Sequence, residues 1–135
     1  MANLSDYAEA AVLNALTGRT TFTAPAAVYL GLSTGDFTDT GSGASELTIG
    51  SNGYARVAVG FDAAATPGGT TQNTSIIDFP ACSTSNWGTI THFGIFDAAT
   101  SGNLLIHGQF TGSGKTIEVA DVLRIAAGDL DLSCA

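Results

Sequence analysis

At 135 residues the chain has the length of one domain and can bury roughly two-thirds of the surface its unfolded form exposes. Twelve acidic residues face four basic ones, a formal net charge of −8, and Arg19, Arg56, Lys115 and Arg124 are scattered, so the clustered cations that displace counterions from a nucleic acid are missing. The opening Met1-Ala2-Asn3-Leu4-Ser5-Asp6 lacks the basic flank and apolar core of a signal peptide, and no apolar run approaches the ~20 residues of a membrane span. Synthesis in a cytoplasm, with neither nucleic acid nor membrane as partner, is the expectation.

In chain order, the first element is a helix over about 3–18. Asn3 is placed to cap it, with Asp6 reaching back. Leu4, Tyr7, Ala8, Ala11, Val12, Ala15 and Leu16 recur at three- and four-residue spacing to make one apolar face, and Gly18 stops it. A helix this short is marginal alone, so the face must lie on a sheet or another subunit. A β core over about 27–132 follows. Ala27 to Leu32 reads as a buried strand, and Ser33 to Gly53 as a long polar loop of the kind that serves a function or is ordered by a partner. Arg56 to Phe61 alternates, putting Val57, Val59 and Phe61 on one face. Ser75 to Phe79 is a short strand closed by Pro80. Thr89 to Phe96 and Leu104 to Phe110 make the strongest hairpin signal, joined by a turn in which Gly102 and Asn103 supply positive φ. Strands at Thr116–Val119 with Val122–Ile125, and at Asp129–Leu132, bring the number to about seven or eight, a single antiparallel β-sandwich or barrel domain with one N-terminal α-helix.

Chemistry-bearing motifs are weak. Gly112-Ser113-Gly114-Lys115-Thr116 mimics a phosphate-binding loop, but Gln109 stands where the pattern needs glycine and a strand follows where it needs a helix, so a β-turn with an exposed Lys115 is expected. His92 and His107 fall on the two hairpin arms. Pairing Phe96 with Asn103 sets them opposite each other, where with Asp97 they could hold a metal, whereas a slipped register leaves two hydrogen-bonded structural histidines. No serine sits on a nucleophile elbow. Asp36, Asp39 and Glu46 lack the order of a calcium loop and read as solvated charge. Cys82 and Cys134 are too few for a disulfide framework: two free thiols, or one bridge pinning the C-terminus. Trp87 reads as a core or sheet-edge anchor, or as an interface residue.

Several stretches in combination, Met1-Ala2-Asn3-Leu4-Ser5-Asp6-Tyr7, Ala27-Val28-Tyr29-Leu30-Gly31-Leu32-Ser33-Thr34, Gly53-Tyr54-Ala55-Arg56 and above all Trp87 to Asp97 followed by Gly102-Asn103-Leu104-Leu105, resemble a family of small tailed-bacteriophage virion proteins described as head decoration (cement) or tail-fibre-like. The resemblance implies a β-sandwich subunit, a homotrimer, on the outside of the particle, with no catalytic residues, cofactor or metal. Because no collagen-like, coiled-coil or β-helical shaft is present, the expectation is a cement protein on the capsid surface, partnered with the major capsid protein. The alternative is a tail-fibre or baseplate-associated protein that binds the host surface and exposes an aromatic shelf near Trp87 or Tyr54. A third reading is a carbohydrate- or metal-binding β-domain using His92 and His107. Candidate interface residues are Leu4, Tyr7, Ala11 and Val12 on the helix, Asp36 and Phe37 in the long loop, and Trp87.

Overall fold

The computed structural model describes residues 2–41 and 45–134. Its first element is a strand: β1 (Ala2–Leu4) adds to the edge of a sheet, and Ser5 then turns the chain into α1 (Asp6–Leu16). Ser5, not Asn3, is the N-cap, since its side chain accepts from Ala8 N at 3.2 Å while Asn3 is held in strand pairing opposite His107. Sheet pairing wins because it satisfies the backbone of residues 2–4, which an extra helical turn would leave half bonded. At the other end the expected stop holds. Gly18 takes φ 72, and Gly18 N and Arg19 N bond to Ala15 O and Asn14 O, which closes the last turn.

The strands that follow are β2 (Val28–Ser33), β3 (Val57–Val59), β4 (Thr70–Gln72), β5 (Ile77–Asp78), β6 (Gly88–Ile90), β7 (His92–Phe96), β8 (Leu104–Gln109), β9 (Lys115–Ile117), β10 (Arg124–Ile125) and β11 (Asp131–Ser133). A five-stranded antiparallel sheet runs β1-β8-β7-β2-β3, and three two-stranded sheets, β10-β5, β11-β4 and β6-β9, pack around it. The sheets remain open, so no barrel closes among the described residues. The protein is mainly β with one N-terminal helix, as expected. The strands are shorter and more numerous than the seven or eight read from the sequence, because its Gly- and Thr-rich connections themselves pair in twos and threes, and the run 89–96 breaks at Thr91 into β6 and β7.

Alternation along the five-stranded sheet separates two cores. Leu30, Leu32, Phe93 and Ile95 point into the main core with Tyr54, Trp87 and Ile117. On the opposite face Phe96 joins Phe37 and Leu104 in a smaller cluster. Space for it comes from Gly31 and Gly94, paired across β2 and β7. A Cβ on Gly94 would meet Leu104 Cδ1 at 2.8 Å and Phe96 Cε2 at 2.9 Å.

Asn73 fastens the outer strands. Its amide donates to Ser75 O and Ala126 O, and its carbonyl oxygen accepts from Leu130 N. Every buried side-chain nitrogen and oxygen among the described residues has a partner. Cys82 is buried, Cys134 is exposed, and both are free thiols. No described helix is long and apolar enough to cross a membrane.

Candidate functional site

The segments that carry the family resemblance turn out to be scaffold. Tyr54 and Trp87 are almost wholly buried, so no aromatic shelf stands at either position. The Trp87 indole donates to Asn52 O at 2.8 Å, and its ring meets Tyr54 edge-on at 5.6 Å. Tyr54 Oη accepts from Leu32 N and donates to Glu46 Oε1. Burial, foremost, pushes this phenol well above its ordinary range. Arg56 forks onto the same carboxylate at 2.7 and 2.8 Å, donates to Ala98 O and Ser101 O, and lies 3.4 Å over the Phe96 ring. One arginine thus ties the long loop, the hairpin turn and the smaller core together.

The same loop is ordered from its other end. Phe37, a candidate contact residue, is buried within the subunit against Phe96, ring centroids 5.5 Å apart. Asp36 and Asp39 remain exposed and bracket the buried His107: Nδ1 lies 3.2 Å from Asp36 Oδ1, and Nε2 2.9 Å from Asp39 Oδ1. The Thr38 amide holds the Asp36 carboxyl below the usual range, with desolvation opposing and His107 assisting. His92 is not opposite His107. Phe96 pairs with Leu104, and beyond a bulge at Ile95/Phe96 Gly94 pairs with His107, leaving His92 opposite Gln109 and its Nδ1 2.8 Å from Thr91 Oγ1. Asp97, the carboxylate paired with these histidines from the sequence, instead binds Asn103 across the turn. Among the described residues no three His, Cys, Asp or Glu side chains converge as metal ligands. At Gly112–Thr116 the glycines turn into β9 and Lys115 is exposed, as the β-turn reading expects.

The surface also carries exposed apolar side chains. Helix α1 docks on β8 and β1 through its alanines: Ala8 is buried, Ala11 and Ala15 are half-buried. The predicted face is therefore the docking face, but its bulky members lie at the margins. Tyr7 and Val12 are exposed, and Leu4 is half-buried in β1, not on the helix. Leu16, read as part of the apolar face, is 79% exposed, and sequence reasoning missed Leu13, 62% exposed, and Phe22. Phe22 lies in the stretch 21–26, whose backbone makes no hydrogen bond among the described residues. Ile76, Val119 and Val122, also missed, are exposed as well. Val122 lines a cleft of about 530 Å³ with Phe110, Lys115, Leu123, Arg124 and Ile125, and Ile76 leads into β5, the partner of β10 beside that cleft. Arg124 is forked onto Asp78 at 2.6 and 2.8 Å. This pairing raises the arginine and lowers the aspartate from their ordinary values.

With this geometry in view, comparison with known families decides the identity. The family described as "Podophage GP4 fiber I protein gp80" matches residues 3–133, nearly the whole chain. The protein belongs to this podophage fibre family. It is a structural protein of a tailed-phage particle, and of the two virion readings raised by the sequence, the family favours the fibre over capsid decoration. None of the curated proteins compared matches the chain. In this fibre-family protein Tyr54, Arg56 and Trp87 shape the subunit, while the bulky side chains of the helix margin and Val122 at the cleft remain exposed.

Proposed function

We propose that the chain is a non-enzymatic subunit of a fibre or baseplate-associated structure on the phage tail, self-associating as a homotrimer and contributing to contact with the host surface. The observation that carries this reading is the match to a podophage fibre family over residues 3–133. The reading rests on the family and not on the aromatic shelf expected with it, since Tyr54 and Trp87 are buried. Buried polar side chains such as Ser5, Asn73, Tyr54 and His107 are each engaged in hydrogen bonds that fasten segments of the fold. Several large apolar side chains, Leu13, Leu16, Ile76 and Val122 among them, are exposed, as suits contacts between subunits.

Gold-labelled antibody raised against the purified protein, applied to intact particles and viewed by electron microscopy, tests the location. Label confined to the tail or its fibres is the expected result. Label distributed over the head would overturn it and restore the cement reading, with the major capsid protein as partner.

A further inference from the structure

The two apolar patches differ in charge. On α1, Glu9, Val12, Leu13 and Leu16 share one flank by their three- and four-residue spacing, and the helix carries Asp6 and Glu9 with no basic residue. The Glu9 carboxylate has no partner among the described residues. The cleft between β9 and β10 is the reverse. Its apolar lining of Phe110, Val122, Leu123 and Ile125 is accompanied by Arg124, whose charge is already paired with Asp78, and by Lys115, the uncompensated charge of the lining. The Lys115 ammonium has no ion-pair or hydrogen-bond partner among the described residues.

We infer that these surfaces bind each other between copies: the Val12–Leu13–Leu16 flank of one subunit covers the Phe110–Val122–Ile125 cleft of the next, with Glu9 brought to Lys115. A second copy is the occupant because it supplies both the apolar area and the opposite charge that each patch lacks. The contact is heterologous, since helix and cleft are different surfaces of one subunit. A copy whose cleft is filled still offers its helix, so assembly closes into a ring, of which a trimer is one case, or continues as a filament. The inference does not depend on where in the particle the protein sits. Loss of self-association would leave the labelling result untouched, and label on the head would leave this contact untouched.

The test is sedimentation equilibrium of the full chain across a concentration series. Wild type is expected to associate, while Leu16→Asp and Val122→Asp, both at exposed positions that leave the circular dichroism spectrum unchanged, each raise the dissociation constant by about tenfold or more. Mixing the two variants is the decisive arm. Leu16→Asp keeps a working cleft and Val122→Asp a working helix, so together they form a single pair and nothing larger. Glu9→Lys and Lys115→Glu each weaken association, and the doubly swapped chain recovers it. A wild type that stays monomeric throughout, a mixture that forms no pair, or a double swap no tighter than its single parents would overturn the assignment.

Discussion

At the scale of single residues, two positions decide whether the long loop is attached. The Arg56 side chain is 5% exposed and makes four hydrogen bonds to Glu46, Ala98 and Ser101. Its removal strands the Glu46 carboxylate, which is itself mostly buried. Breaking a buried pair from one side costs about 3–5 kcal/mol, so Arg56→Ala should lower the unfolding free energy by that amount, seen as a lower urea midpoint at unchanged m-value. Gly94 acts by volume instead. Its added methyl would press on Leu104, Phe96 and Phe37, side chains that can yield, and overpacking of this kind costs about 1–3 kcal/mol. Gly94→Ala should therefore fall short of the arginine loss, and thermal unfolding of the two variants side by side ranks them.

Among elements, the helix is the least securely held, because it docks through alanines and offers little apolar area. Much of its attachment is the single residue Ser5, whose hydroxyl donates to Leu104 O and accepts from Ala8 N. Losing the cap and leaving a buried carbonyl unpaired costs about 2 kcal/mol. In Ser5→Ala the amides of residues 6–9 should exchange faster with solvent than those of β2 and β7, whose protection is expected to be unchanged. The same element shows what the sequence could reveal. Spacing of three and four identified the docked face and Gly18 its end, since both are local properties. It could not reveal that residues 2–4 pair with β8, because that partner is about a hundred positions away. The hairpin arms were legible for the same local reason. Their register was not: Phe96 pairs with Leu104 and not Asn103, and the bulge at Ile95/Phe96 adds a second residue of shift, so His107 stands opposite Gly94. Phe37 looked like a loop residue open to a partner, and its burial followed from the glycine pair on the sheet face beneath it. Leu13 escaped notice because it falls outside the three- and four-residue spacing of the docked face, and Leu16, inside that spacing, is left exposed at the end of the helix.

For the whole molecule, the net charge of −8 governs how self-association should respond to salt. A folded chain of this length is roughly 35 Å across, so two copies in contact hold their net charges about that far apart. At 20 mM salt, with a Debye length near 20 Å, their mutual repulsion is on the order of 1–2 kcal/mol in water. At 0.15 M salt, where the Debye length is about 8 Å, it falls to roughly a tenth of that. The single Glu9 to Lys115 attraction is short-ranged and exposed, worth about 1 kcal/mol or less, and the same salt change removes only a few tenths of it. Repulsion is therefore screened more than attraction, and apolar burial is barely affected. Association should tighten by about five- to tenfold between 20 mM and 0.15 M sodium chloride, measured as a lower dissociation constant by sedimentation. In Lys115→Glu, whose net charge is −10 by the change of one positive to one negative residue, the tightening with salt should be steeper. Weakening by salt would mean instead that close ion pairs hold the subunits together and that the apolar helix flank contributes little.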